Sequence, residues 1–292
     1  MTHTHITVPT QFVEENGTRF AYRRFGIETG VPLLFMQHFR GGMDNWDPAV
    51  TDGFASGRPV ILFNNAGVAS SSGETPDNID AMGEHASDFV GALGLSQIDI
   101  LGFSIGGFIA QTVTTRYPSL VRRLILVGTG PRAGQPTQDP KVEEHAKVSN
   151  PSLDDILYLF FSSSYSSRTA GRAFWERRHL RKKDVDPPIS LQTMQAQIAA
   201  LGEWQQVKGE RFEELKSIMQ PTLVINGNND IMVPTINSLV LSQHIPNVQL
   251  IIYPDSGHAS LFQYPELFLT HSSIFLDNVA NTRREDHIQY GM

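Results

Sequence analysis

Short apolar runs alternate with segments of helical periodicity, and that alternation constrains this 292-residue chain more than any other feature. Residues 31–38 (VPLLFMQH) and 59–64 (PVILFN) are nearly continuous in apolar side chains, as are 98–104 (IDILGFS) and 121–128 (VRRLILVG). Such runs fit strands buried on both faces, whereas a strand with one wet face alternates apolar and polar residues. An earlier segment, Thr18 to Phe25, reads as a strand entered through a Glu15-Asn16-Gly17 turn. Between the runs, Ile79, Met82, Ala86, Phe89, Val90 and Leu93 recur at the spacing of a helix face, and so do Ile105, Phe108, Ile109 and Val113. Strands alternating with helices predict a parallel sheet with helices packed on its faces.

The pattern returns near the C-terminus, where 221–226 (PTLVIN) and 248–253 (VQLIIY) read as strands. A helix near 235–244 lies between them, and a last helix over 259–279 closes the chain. Residues 131–215 break the alternation with helix-like stretches: LDDILYLFF, AGRAFWERRHLRKK and SLQTMQAQIAAL. They are expected to form a helical cap inserted into a core built from residues 1–130 and 216–292. The basic run Arg177, Arg178, Arg181, Lys182 and Lys183 is flanked by Glu176, Asp184 and Asp186, so it reads as a solvated helix face.

Charge and composition exclude several classes of function. Basic residues number 23 against 30 acidic ones, a net charge of −7. A grip on nucleic-acid phosphates needs a basic face, so no nucleic-acid partner is expected. The absence of cysteine removes disulfides, thiolate nucleophiles and cysteine zinc sites. The start of the chain lacks a basic stretch followed by an apolar one, and no apolar run reaches the ~18 residues that span a bilayer. A cytoplasmic protein without membrane attachment is therefore expected. GFSIGGFIA lacks the G-x-G-x-x-G spacing of a dinucleotide site, and no H-E-x-x-H pair occurs. His145 beside Glu143 and Glu144 reads as a solvated helix face, so neither cofactor nor metal is expected.

The chemistry concentrates at Gly102-Phe103-Ser104-Ile105-Gly106-Gly107, where a buried run ends and an amphipathic segment begins. That context fits a nucleophile elbow, G-x-S-x-G, in which the serine occupies a strained turn and tight packing excludes a Cβ two residues to either side. A serine hydroxyl needs a base, and the base needs an orienting acid. Asp230 follows the run PTLVIN and His258 follows VQLIIY, which places both at the sheet edge where ligands gather in open α/β folds. Other histidines fit less well: His3, His5 and His287 fall toward the chain ends, and His85, His244 and His271 on helices. Asp255, three residues before His258, reads as a structural turn residue. After Gly128 the chain continues Thr129-Gly130-Pro131 and offers no acid.

With these residues the chain resembles the α/β-hydrolase fold family from about Gln11 to Val279. GFSIGG is similar to the serine elbow of its esterases, enol-lactonases and cofactor-free haloperoxidases. The resemblance implies a mostly parallel eight-stranded sheet flanked by helices, a cap inserted after strand six, and Ser104, His258 and Asp230 as triad. It further implies acyl transfer on a small to medium ester or lactone, with the backbone N–H groups of Phe39 and Ile105 as oxyanion hole. Perhydrolysis and carbon–carbon bond hydrolysis use the same triad, and a slow hydrolase acting as a receptor is the reading from another class. The oligomeric state, monomer or homodimer, is left open. Two segments depart from the family pattern: His38-Phe39-Arg40-Gly41-Gly42 replaces His-Gly-x-Pro-Gly, and Asn64-Asn65-Ala66-Gly67 lacks the usual Asp–Arg pair. His38, Arg40, Trp46 and Phe103 are candidate substrate contacts. Arg40 either receives an anionic group of the substrate or pairs with Asp44 or Asp47 to pin its loop.

Overall fold

A computed structural model describes residues 3–278. Its strands are β1 (Gln11–Glu15), β2 (Thr18–Gly26), β3 (Leu33–Met36), β4 (Pro59–Phe63), β5 (Ile98–Phe103), β6 (Val121–Val127), β7 (Thr222–Gly227) and β8 (Val248–Tyr253). They form one sheet in the order β1-β2-β4-β3-β5-β6-β7-β8. Asn16 and Gly17 both take positive φ, 48° and 78°, the geometry of the two-residue hairpin turn that joins β1 to β2. β2 pairs antiparallel with β1 and β4, and every other pairing is parallel. This is the eight-stranded, mostly parallel sheet expected of the α/β-hydrolase fold.

Three helices connect the strands of the first half: α1 (Pro48–Ala55), α2 (Ile79–Ala92) and α3 (Ile105–Arg116). Between β6 and β7 the chain makes an excursion through α4 (Lys141–Ala146), α5 (Leu153–Phe160), α6 (Tyr165–Arg178) and α7 (Leu191–Trp204). The helix α8 (Ile236–His244) links β7 to β8. The segment expected as one last helix is two, α9 (Ser260–Gln263) and α10 (Pro265–Asp277). Pro265 has no N–H to continue α9 and instead opens α10 at a first-turn position. Val279 lies outside the described residues.

The pleat divides the core. Leu33, Phe35, Val60 and Leu62 join one apolar cluster, while Leu34, Met36, Ile61 and Phe63 join another. Successive strand residues point to opposite faces, so the two clusters cover the two sides of the sheet. The excursion has no separate core. Leu157, Phe160, Phe161 and Phe174 continue the first cluster, and Ala200 and Trp204 continue the second. Among the described residues no helix is long and apolar enough to cross a membrane.

Arginine side chains turn inward where a solvated face was expected. Helix α6 stops at Arg178, and the basic run beyond it folds back onto the N-terminal segment. Arg181 is buried and donates to the carbonyls of His5, Ile6 and Val8 at 2.9, 3.1 and 2.8 Å. Arg177 forms a forked pair with the buried Asp47, Nη2 to Oδ2 at 2.6 Å. His5, assigned to a chain end from the sequence, is likewise buried, with Nδ1 3.0 Å from Thr51 Oγ1.

Trp46, expected at the substrate, is a core residue. Its ring is fully buried against Phe35, Phe262 and Phe103, at centroid distances of 5.0, 6.2 and 6.3 Å. The short turn Met43–Asn45 and the N-cap of α1, where Asp47 accepts from the Ala49 N–H, swing the indole away from solvent. Trp46→Ala is therefore expected to lower stability by about 3–5 kcal/mol, the usual cost of emptying a packed aromatic site. A urea midpoint unchanged from the parent protein would return Trp46 to the substrate pocket.

Candidate active site

The elbow is built by close backbone approach. Ser104 caps the N-terminus of α3 at φ 57° and ψ −123°, a conformation that non-glycine residues adopt only when their surroundings enforce it. Enforcement comes from three sides. A Cβ on Gly106 would lie 2.1 Å from the Met36 carbonyl oxygen, so α3 can start this close to β3 only with glycine there. A Cβ on Gly102 would meet the Gly106 carbonyl at 2.5 Å. The Ser104 N–H donates to Val127 O at 3.0 Å, and Thr129 Oγ1 donates to Ser104 O at 2.8 Å. The serine is thereby held at the C-terminal edge of the sheet. Ile105 begins α3, so its N–H has no acceptor within the helix and is free for another.

The histidine and the acid arrive from the next two strands. Asp230 follows β7, where its Oδ1 accepts from the N–H groups of Met232 and Val233, both at 2.9 Å. Its Oδ2 lies 2.8 Å from His258 Nδ1, in a buried pair. A carboxylate in that position fixes the proton on Nδ1 and leaves Nε2 with its lone pair. His258 Nε2 is buried and has no hydrogen-bond partner, and it shares a cavity of about 550 Å³ with Ser104. Asp255 stands apart from this pair. At φ 47° it accepts the hydroxyls of Ser162, Ser164 and Ser166 at 2.6, 2.6 and 2.8 Å, which ties the α5–α6 loop to the turn before His258.

His38 and Phe39 reach the same cavity from the loop after β3. His38 Nδ1 lies 2.8 Å from the Phe39 carbonyl, so Nδ1 carries the proton and Nε2, buried, lacks a partner. Burial pushes the imidazole down to about 3, although the Phe39 carbonyl pulls the other way. Phe103 does not line the cavity. Its fully buried ring packs against His258 at 5.0 Å and against His38 at 5.5 Å, and so braces both imidazoles from behind.

Arg40 pairs with neither expected acid. Asp44 is held by Arg23, and Asp47 by Arg177. The Arg40 guanidinium instead reaches past the end of α4, where Nη1 donates to Ala146 O and Val148 O and Nη2 to Ser149 O, at 3.0, 2.6 and 2.8 Å. Its own N–H donates to Gln197 Oε1 on α7 at 2.8 Å. The fork anticipated for a carboxylate is thus turned to main-chain carbonyls, and Arg40 connects the Phe39 loop to the helical excursion. His145 is half-buried on a helix whose Glu143 and Glu144 are exposed. It stacks on Tyr158 at 4.2 Å, with Nδ1 2.7 Å from Asp155 Oδ1. No group of three or more histidine or acidic side chains that could hold a metal occurs among the described residues.

The excursion contributes Phe160, Trp175 and Arg178 to the cavity wall. The two aromatic residues give the sequence reading of a substrate apolar at one end, whereas Arg178 reads there as part of a solvated basic run and is missed. A second cavity, about 330 Å³, shares Ser104, Phe39 and Met232 with the first and is otherwise lined by groups such as Phe108, Ile198, Leu201 and Val233. The serine stands where the two meet.

Comparison with known proteins agrees with this architecture. The profile of the alpha/beta hydrolase fold matches residues 31–265. An alpha/beta hydrolase fold protein from Chitinophaga pinensis superposes with a TM-score of 0.88 at 41% identity, over 94% of this chain and all of the other. A pimeloyl-[acyl-carrier protein] methyl ester esterase of Nitrosomonas europaea is 28% identical over 204 residues, 66% of this chain and 75% of its own. A 2-hydroxymuconate semialdehyde hydrolase of Pseudomonas putida is 30% identical over 190 residues, 63% of this chain and 64% of its own.

The buried histidines make stability depend on pH. Burial pushes His5, like His38, down to about 3 in the folded protein. The unfolded chain takes up a proton near pH 6.5 that the folded protein refuses until about pH 3. Their contribution is therefore intact above pH 6.5 and is lost on acidification toward pH 3. Each histidine accounts for about 2 kcal/mol between pH 7 and pH 5. Urea denaturation at the two pH values is expected to show the loss, and His5→Gln to remove about half of it. Equal stability at both would mean that the rings are not held neutral.

Proposed function

We propose, from the premise that this chain belongs to the α/β-hydrolase fold family, that it is a serine hydrolase acting on a carboxylic ester or lactone through an acyl-enzyme. One observation carries the reading. The strained serine of the elbow and a histidine whose free Nε2 is set by a buried carboxylate face one cavity. Ser104 Oγ attacks the substrate carbonyl while His258 Nε2 takes its proton, and Asp230 stabilises the imidazolium that forms. Charge on the tetrahedral oxygen is met by the N–H groups of Ile105 and Phe39, the first at the positive end of α3. His258 then returns the proton to the departing alcohol. A water deprotonated by the same nitrogen attacks the acyl-enzyme, and collapse of the second tetrahedral intermediate releases the acid and regenerates Ser104. Helices α4 to α7 act as the cap, which keeps bulk water from the elbow and shapes the substrate pocket. The apolar lining of the smaller cavity suits an alkyl or aryl group on one side of the scissile carbonyl.

Ser104→Ala is expected to abolish labelling by a fluorophosphonate and to reduce kcat on the best ester found by about 10³-fold or more. Wild-type turnover by that variant would end the serine mechanism. Asp230→Asn should fold yet misorient His258, with a loss of about 10²–10⁴-fold in kcat, whereas Asp255→Asn should lose far less. If the two variants exchange effects in steady-state kinetics, the acid has been assigned to the wrong loop.

A further inference from the structure

The walls of the larger cavity are cationic although the chain as a whole is acidic. Four basic side chains line it, Arg40, Arg178, Arg181 and Lys182, against two carboxylates, Asp44 and Asp186. Both carboxylates are engaged. Asp44 is held by Arg23 and accepts the Asp186 N–H at 2.6 Å. Asp186 accepts from Asn64 Nδ2 and Met43 N at 3.0 and 3.1 Å, and from Ser70 Oγ at 2.6 Å. Arg40 and Arg181 donate to main-chain carbonyls, and Lys182 lies out in solvent.

Arg178 has no such engagement. It ends α6 with its guanidinium 4.7 Å over the Trp175 ring, and its Nη1 is shut off from solvent without a hydrogen-bond partner. Among the described residues no acid lies within ion-pair distance of it. Burial pushes the guanidinium down to about 10, which leaves it charged at neutral pH, and that charge is felt at His38. The side chain is half-buried, and a cation with one nitrogen shut off from water and no counter-charge is costly to keep. Its neighbour Arg177 lies on the same last helical turn and is fully paired, so proximity to the helix end does not by itself leave an arginine vacant. The aromatic face holds the planar guanidinium in one orientation at the wall of the cavity.

We propose that Arg178 receives a carboxylate carried by the substrate, so that the enzyme's substrate is an ester or lactone with an apolar group on one side of the scissile carbonyl and an anionic group on the other. This rests on the serine-hydrolase reading for the reaction, though not for the binding. The two cavities that meet at Ser104 supply the two arms: the smaller is largely apolar, its Lys147 and Glu143 being paired with each other, and Arg178 stands on the wall of the larger. A planar carboxylate matches a guanidinium with charge-assisted hydrogen bonds, whereas a neutral ester of equal size leaves Arg178 without a counter-charge. One of the two readings of Arg40 from the sequence is an anion site in the Phe39 loop; on this proposal that role falls to Arg178 in the helical excursion.

Two measurements test this and separate it from the mechanism. In kinetics, phenyl hemisuccinate is compared with phenyl pentanoate, and 4-acetoxybenzoate with phenyl acetate, so that the carboxylate is tried on either side of the carbonyl. In one pair the carboxylate ester is expected to be preferred in kcat/KM, and Arg178→Met should reduce that preference by about 10–100-fold, mainly through KM. A merely structural arginine would lower both members of the pair together, and an unchanged ratio would overturn the proposal, as would wild-type preference for the neutral ester in both pairs. In calorimetry, the Ser104→Ala protein should bind 4-phenylbutanoate but not 4-phenylbutanamide, and the added Arg178→Met change should remove that binding. Carboxylate binding that survives the second substitution overturns the proposal without any appeal to turnover. Hydrolysis that persists in Ser104→Ala overturns the serine mechanism, while the calorimetric outcome still decides whether Arg178 binds the carboxylate.

Discussion

Everything at the site depends on how closely the first turn of α3 approaches β3. The Gly106 position lies against the Met36 carbonyl, and no side chain fits between them. That approach drives Ser104 into positive φ at a cost on the order of 1–3 kcal/mol, which the surrounding sheet absorbs. Parallel pairing of β5 with β3 on one side and β6 on the other keeps the elbow in register with its neighbours. The same sheet order brings the C-terminal ends of β6, β7 and β8 round in sequence. Thr129 then holds the Ser104 carbonyl, Asp230 the imidazole, and the turn after β8 presents that imidazole to the cavity. A looser elbow would still be a strand–helix junction. On the proposed mechanism, it would no longer bring the Ser104 hydroxyl and the two oxyanion N–H groups to bear on one point.

A second layer of constraint is electrostatic and joins the helical excursion to the rest of the chain. Arg23 on β2 donates to Thr10 Oγ1 and to the Asp184 carbonyl, at 3.1 and 2.9 Å. Arg181 answers from the other side by capping carbonyls of residues 5 to 8, and Asp186 accepts from the loop after β4. The two buried guanidiniums are satisfied, which is the condition under which such networks fix one arrangement rather than several. The loop after α6 is therefore anchored at many points. Arg178, just before that loop, is held only by stacking, and so it differs from its neighbours in kind.

Much of this was legible in the chain. Strands buried on both faces announce themselves as unbroken apolar runs, because a parallel sheet covered by helices leaves no wet face to demand alternation. The elbow was legible for a related reason: its glycines are required by backbone contact, and contact of that kind leaves only one residue type. Asp230 and His258 could be placed because each follows a strand whose end must lie at the same sheet edge. The arginines were not legible in the same way. A run such as RRHLRKK has identical composition whether its charges face water or main-chain carbonyls. The carbonyls that Arg181 and Arg40 bind come from distant segments, residues 5–8 and 146–149, which no local pattern connects to them. Trp46 misled for a similar reason. Its loop is polar and glycine-rich, yet the Asp47 cap and the Arg177 pair fold it over the core.

The contrast between the acidic chain and its cationic cavity bears on how selection would operate. A net charge of −7 slightly repels an anion at long range. That repulsion is screened beyond about 8 Å at physiological ionic strength. Attraction to a half-buried guanidinium at a cavity wall acts over a shorter distance in a less polarisable medium, where the same charge counts for more. On the proposal for Arg178, discrimination between a carboxylate ester and its neutral counterpart belongs to the bound state rather than to the approach. It should appear in how long the substrate stays, and only weakly in how often it arrives. A protein with a basic exterior would gather every anion it met. This one carries net negative charge overall and sets its unpaired cation on the wall of the cavity that Ser104 also lines.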